Sequence, residues 1–285
     1  MPPQKVITRF APSPTGYLHL GHAYSAKLSH DFAQEHDGKF LLRIEDIDHT
    51  RCSSEYETAL YEDLRWIGLD WERPVRRQSD HMQDYREAQA ILQKYQLLYP
   101  CFCSRKDIQR EIKASSSAPH DQSKEAVEGP IYPGTCRRLP LKERQTKMAN
   151  GTPYALRLDM AKALELVGNI PLFWTDREAG EQVASAELLK NIWGDVILAR
   201  KETPTSYHLS VVVDDHLQKI SHIIRGKDLF TATHLHRLLQ FLLGYVTPLY
   251  DHHNLLTDEN GRRYAKRDNS KTLRFMRENG EKINL

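Results

Sequence analysis

Long apolar runs are absent from the 285-residue sequence. None approaches the roughly 18 to 20 consecutive apolar residues that a membrane span requires. The N-terminal stretch MPPQKVITRF carries a single lysine and no long apolar core, so it does not read as a secretory signal and a cytoplasmic protein is expected. Cysteine is scarce: the four present are Cys52, Cys101, Cys103 and Cys136. In a cytoplasmic chain they are expected to be reduced, which leaves no disulfide framework. Charge of one sign is not in excess either. A net charge of +2 neither demands nor excludes a nucleic-acid partner, so only clustering is informative. Internal repeats and coiled-coil heptads are missing too.

What is present is ordinary for a soluble protein. Hydrophobic residues make up 40% and charged residues 27%, which argues against wholesale disorder. The length suits one large α/β domain, or one domain with a sizeable insertion. Residues 5–11, KVITRFA, are β-prone and run into the turn-rich PSPTG. After HLGH, the run AYSAKLSHDFAQEH fits a helix that Asp37 and Gly38 stop. KFLLRIEDID reads as a buried strand with acids at its C-terminal end. Strand, loop, helix, strand is the unit of a parallel doubly wound sheet.

Further on, Ser54 and Glu57 form an expected capping box. Tyr56, Leu60, Leu64 and Ile67 share one helical face that Gly68 ends, and a second helix is expected over 80–96. At Tyr99 the character changes: the cysteine cluster and the aperiodic KASSSAPHDQSKEAVEGP suggest an insertion with a loop. VILARK, YHLSVVVDD and SHIIRG read as strands, TATHLHRLLQFLLGY as a helix, and 270–279 as a last helix ending at Gly280. The expected organisation is 1–98 and 196–250 as two halves of a Rossmann-like catalytic domain, 99–195 as an inserted subdomain, and 251–285 as a basic loop with a short helix.

RFAPSPTGYLHLGH, residues 9–22, joins the first strand to the first helix. In open α/β sheets ligands bind at that junction, and helix N-termini suit phosphates. Gly16 and Gly21 permit close backbone approach, and His19 and His22 can donate to phosphate oxygens. The stretch is neither GxGxxG nor GxxxxGK[ST], which counts against hydride transfer and P-loop phosphotransfer. Residues 262–274, RRYAKRDNSKTLR, hold six basic side chains and one acid, a solvated charged loop or a phosphate-binding one. Cys101, Cys103 and Cys136 lie close enough in sequence to suggest a metal site, with His120 or Tyr132 as the fourth ligand and imidazole the better generic one. Buried free thiols are the alternative.

RFAPSPTGYLHLGH resembles the first signature of the glutamyl- and glutaminyl-tRNA synthetases, class I enzymes whose hallmark is a HIGH tetrapeptide matched here by HLGH. RIEDIDHTR (43–51) is similar to that family's second strand and following loop, and 207–229 to its late strand pair. The resemblance covers residue 5 to about 275, except for the loop at 113–128. It implies activation of an amino acid by attack of its carboxylate on the α-phosphate of ATP, with Mg2+ carried on the phosphates. Carried over residue by residue, it implies glutamate binding by Arg9, Phe10, Ala11, Pro12, Ser13, Glu45, Tyr207 and Arg225. The arginines would face carboxylates and Glu45 the α-ammonium, although a strand-end ion pair is the plainer reading of Glu45 and Arg225. His19, Gly21, His22 and Lys266 would hold ATP, with His19, His22 and Lys266 catalytic. Lys266 enters through RYAKR, aligned with the family's KLSKR loop, where Arg263 and Ala265 depart from the pattern.

A truncated branch of the family carries a CxC…YxxxC zinc arrangement, which Cys101, Cys103, Tyr132 and Cys136 match. That branch transfers glutamate to queuosine at the wobble position of tRNA(Asp). The chain stops soon after Arg267, where glutamyl-tRNA synthetases continue into an anticodon-binding domain, so the resemblance implies ATP, L-glutamate and queuosine-bearing tRNA(Asp) as partners of a monomer. An ordinary glutamyl-tRNA synthetase core is one rival. A non-catalytic paralogue is another, opposed by the intact HLGH, Glu45, Arg225 and Lys266.

Overall fold

The computed structural model describes residues 5–115, 131–256 and 272–283. Lys266, most of the basic segment and His120 lie outside them. In chain order the elements are β1 (Ile7–Phe10), α1 (Leu20–Glu35), β2 (Lys39–Ile44), α2 (Ser54–Trp66), β3 (Glu72–Arg77), α3 (Met82–Lys94), β4 (Leu98–Cys101) and α4 (Arg105–Ser115). They continue with α5 (Leu141–Ala149), β5 (Ala155–Leu158), α6 (Met160–Val167), β6 (Phe173–Asp176), β7 (Gly180–Val183), α7 (Ala186–Leu188) and β8 (Ile197–Ala199). The last are α8 (Tyr207–Leu217), β9 (His222–Gly226), α9 (Phe230–Leu243), β10 (Leu249–His253) and α10 (Leu273–Glu278).

β1, β2 and β3 are parallel, with Ile7 opposite Lys39 and Phe10 opposite Leu42. β9 and β10 are parallel to each other and β6 to β10, while β7 adds an antiparallel edge. Ser221, just before β9, bonds to both backbone groups of Ile7 (N–H to Oγ 2.8 Å, N–H to O 3.0 Å), so the two parallel groups adjoin at β1 and β9. β4, β5 and β8 form a separate antiparallel sheet. β6 and β7 fall within 99–195 of the sequence but belong to the sheet of β10. One apolar core lies between α1, α2, α10 and the first strands, another around α3, α8 and α9.

Local chemistry explains the elements that position the site. α1 stops where expected: Asp37 takes a left-handed φ of 49°, and a Cβ on Gly38 would stand 2.6 Å from the carbonyl oxygen of Val6. α2 is capped one residue earlier than expected, by Ser53, whose Oγ accepts from Tyr56 N–H, rather than by Ser54.

The larger correction concerns YHLSVVVDD, expected as a strand. It is helix α8. The run Val211–Val213 favours strand locally, but every residue from His208 to Asp215 is buried, and a helix apolar on most faces is an interior helix. Burial on all sides erases the period that distinguishes the two.

α8 also delivers two acids to the interior. Arg43 of β2, wholly buried, meets Asp215 (Nη1–Oδ1 2.8 Å), Glu45 (Nη2–Oε1 3.1 Å) and Asp214 (Nε–Oδ2 3.7 Å). Asp215 also takes Arg9 (3.1 Å), and Asp214 takes Arg76 (2.7 Å). Removing one member of such a set strands a charge away from water. Replacing Arg43 with Met is therefore expected to cost about 3–5 kcal/mol of stability, read from urea unfolding; a loss below ~1 kcal/mol would show the lattice to be dispensable.

Candidate active site

His19 is the N-cap of α1. Its Nδ1 accepts from Gly21 N–H (3.1 Å), and His22 Nδ1 accepts in turn from His19 N–H (3.3 Å). Two orphan donors at the helix start are thus satisfied by the HLGH histidines themselves. In the neutral rings the proton then sits on Nε2. The rings lie 3.8 Å apart, and a Cβ on Gly21 would stand 3.1 Å from His19 Cε1, so glycine is what admits the cap. The same helix start receives the segment leading into α10. Thr272 bridges His19, and Leu273 N–H donates to Leu18 O (2.8 Å).

Arg9 near the end of β1, Glu45 just after β2, Tyr207 at the start of α8 and Arg225 in β9 come together. The charges of Arg225, Glu45 and Arg9 all act on the Tyr207 phenol, which burial pushes up to about 12. Burial also raises the Glu45 carboxyl, against the pull of Arg43 and Arg9. The first loop is tied in through Glu45 N–H, which donates to Pro12 O (3.0 Å). Phe10 belongs to the core, Ala11 is half-buried and Ser13 is exposed.

The arginines are not free forks. Arg9 grips Asp215, and Glu45, just after β2, grips Arg43 of that strand; the strand-end ion pair expected of Glu45 and Arg225 is not found among the described residues. Arg225 differs. Its described partners are neutral: Nε donates to His252 Nε2 (3.1 Å), Nη1 faces His236 Nδ1 (3.4 Å), and Nη2 donates to Thr233 Oγ1 (2.6 Å) and Leu229 O (3.2 Å). Arg43, Asp214, Asp215, Asp176, His236 and His252 escaped the sequence reading. The paired acids closing the apolar run VVVDD were the available signal.

Cys101, Cys103 and Cys136 bring their sulfurs within 4.8 Å of one another, with Cys103 and Cys136 3.4 Å apart. Tyr132 Oη lies 3.5 Å from both Cys101 and Cys103. Cys52 is not part of this group. Ligand atoms of a tetrahedral zinc stand about 3.5–3.8 Å apart, so these four donors fit that ion. The Cys136 thiol is pushed down to about 6, chiefly by the hydrogen bond from Cys101, which itself rises to about 12. The Arg157 guanidinium lies 3.8 Å over the Tyr132 ring. A cavity of about 770 Å³ runs from Cys103 and Tyr132 to Tyr207 and His208; Arg9, His19, Glu45 and Arg225 are not in its wall. Among the described residues no helix is long and apolar enough to cross a membrane.

The family model for the catalytic domain of class I tRNA synthetases (E and Q) matches residues 5–282. The chain belongs to this family. It is 45% identical to a Glutamyl-Q tRNA(Asp) synthetase of Rhodobacter capsulatus over 96% of each chain. It is 34% identical to a Glutamate--tRNA ligase of a Hydrogenobaculum species, over 96% of this chain and 55% of that one. In structure it resembles the glutamate-tRNA synthetase of Elizabethkingia anophelis, with a TM-score of 0.77 and 29% identity over 93% of this chain and 53% of that one. The chain therefore spans about half the length of the solved synthetase and of that ligase. The family accounts for the Rossmann-like parallel sheet.

Burial pulls His252 down to about 4 and holds His236 well below its ordinary value. The unfolded chain then binds protons that the native state refuses. Stability is full above the unfolded histidine range near 6.5 and falls as pH drops toward 4. Between pH about 7.5 and about 5.5, His252 alone is expected to remove about 1 kcal/mol. A urea midpoint constant across that range would contradict the neutral, buried assignment.

Proposed function

We propose that the chain activates L-glutamate with ATP, without needing tRNA, and transfers it to queuosine at the wobble position of tRNA(Asp). The observation that carries the first half is Arg225. A guanidinium 5% exposed, whose described partners are all neutral, calls for a buried counter-anion. The side-chain carboxylate of glutamate supplies one, and the amide of glutamine does not. The acceptor is supported by the Glutamyl-Q tRNA(Asp) synthetase relative aligned over 96% of each chain.

In this reading Arg9 takes a carboxylate, Glu45 the α-ammonium, and Tyr207 donates its hydroxyl. A substrate carboxylate oxygen attacks the α-phosphorus in line, and the bridging oxygen leaves with pyrophosphate. Little covalent work falls to the protein, which aligns the reactants and neutralises phosphate charge. His19 and His22, protonated at Nε2, and the α1 N-terminus with Gly21 face the phosphates, and Lys266 adds a cation. Mg2+ accompanies ATP through its phosphates. Cys101, Cys103, Tyr132 and Cys136 hold a structural zinc that ties β4 to the segment around 132–138 of the inserted subdomain.

Pyrophosphate exchange into ATP should depend on glutamate, not glutamine, and proceed without tRNA; equal exchange with glutamine would sink the specificity. Replacing Lys266 with Ala is expected to lower kcat about 10²-fold, as for loss of one transition-state donor. With labelled glutamate and whole tRNA, label should reach only queuosine-bearing tRNA(Asp), in its anticodon loop. Label at the 3′ end of tRNA(Glu) would instead identify the activity of the Glutamate--tRNA ligase relatives. Zinc content should fall to background when Cys101 and Cys103 become serine, and retention of zinc would exclude the site.

A further inference from the structure

Arg225 ends a row of three polar side chains that crosses adjacent strands. His252 of β10 stands directly opposite Arg225 of β9 in the parallel register, and Asp176 follows on β6. A guanidinium has only donors, so His252 Nε2 must accept from Arg225 Nε (3.1 Å). The ring proton is thereby confined to Nδ1, which donates to Asp176 Oδ2 (2.7 Å). Asp176 is fixed in turn: its Oδ2 also accepts from His252 N–H, and its Oδ1 accepts from the backbone N–H groups of Glu178 (3.1 Å) and Ala179 (2.9 Å) in the β6–β7 turn. The His252 ring has no solvent exposure and is boxed by Phe230 (5.0 Å between centroids), Tyr250 (5.8 Å) and Trp174 (6.0 Å).

We infer that His252 and Asp176 are positioning residues for Arg225, aiming its guanidinium at the substrate's side-chain carboxylate through a single permitted imidazole tautomer. The inference rests on the glutamate-activating reading above. The two groups touch no reacting atom. Thr233 and Leu229 hold Nη2 and His236 faces Nη1 at 3.4 Å, so His252 is what fixes the Nε edge, and without it the guanidinium loses one of its three points of support. What is lost is aim, and aim governs glutamate recognition rather than ATP binding. A glutamine side chain at 252 offers an amide oxygen to Arg225 and an amide N–H to Asp176, reproducing both hydrogen bonds. Leucine offers neither. Asparagine at 176 can turn its amide N–H toward His252 Nδ1, which puts the ring proton on Nε2, against Arg225.

The test is glutamate-dependent pyrophosphate exchange by the full chain, with KM for glutamate, KM for ATP, kcat and melting temperature measured for His252→Leu, His252→Gln and Asp176→Asn. Expected is a rise of about tenfold or more in glutamate KM for His252→Leu and Asp176→Asn, with ATP KM and kcat within about threefold, and recovery to within about threefold of the parent in His252→Gln. Should the leucine variant fail to fold, Asp176→Asn and His252→Gln decide between them. A parent-like glutamate KM in Asp176→Asn, or glutamate and ATP KM rising together in all variants, overturns the inference. A parent without glutamate-dependent exchange overturns the underlying reading and this inference with it.

Discussion

Arg43 sits in the interior with no exposure to water, and the acids that balance it bind three parts of the chain into one unit. Glu45 follows it just beyond the end of β2, while Asp214 and Asp215 arrive from α8, far away in sequence. Through Asp215 the lattice holds Arg9 of β1, and through Asp214 it holds Arg76, Gln78 and Tyr85. Such charges tolerate burial only with close, hydrogen-bonded partners, so their relative positions are tightly constrained. The candidate site inherits that rigidity. Arg9 and Glu45 are candidate binding groups because the lattice fixes them, not because they are free side chains.

Histidine does the complementary work at two places, each time through a ring whose two nitrogens have defined hydrogen-bond roles. At the start of α1, His19 and His22 use Nδ1 to satisfy helix donors, which leaves Nε2 carrying the proton. Beside Arg225, His252 uses Nε2 as the acceptor and Nδ1 as the donor. In both cases the backbone or an arginine dictates which nitrogen is protonated, and the polarity of the ring follows. The contrast with the acid-held Arg9 is chemical. Neutral imidazoles orient Arg225 without cancelling its charge, so the charge is available to an anion from outside the protein.

Much of the site was legible in the sequence where function depends on contiguous residues. RFAPSPTGYLHLGH spells a strand, a turn and a helix start, and the structure uses it so. Cys101, Cys103, Tyr132 and Cys136 share one local cluster, with Cys101 closing β4 and the next residue's N–H, that of Phe102, donating to Cys136 Sγ (3.3 Å). The sequence misled at YHLSVVVDD, because consecutive β-branched residues favour a strand until burial on every side makes the interior helix the better solution. Ser53 rather than Ser54 caps α2 for a humbler reason: two adjacent serines carry equal capping chemistry, and backbone geometry chooses between them.

By itself the sequence determined the family, the turn between β1 and α1 and the residue types of the candidate site, since each is written in neighbouring residues whose chemistry is local. Only the tertiary structure decided how those charges are shared. Asp215 meets Arg9 and Arg43 across most of the chain's length, and Asp176 reaches Arg225 only through His252, because three strands distant in sequence lie side by side in the sheet. Pairings of that kind depend on distance in space, and no sequence spacing encodes them.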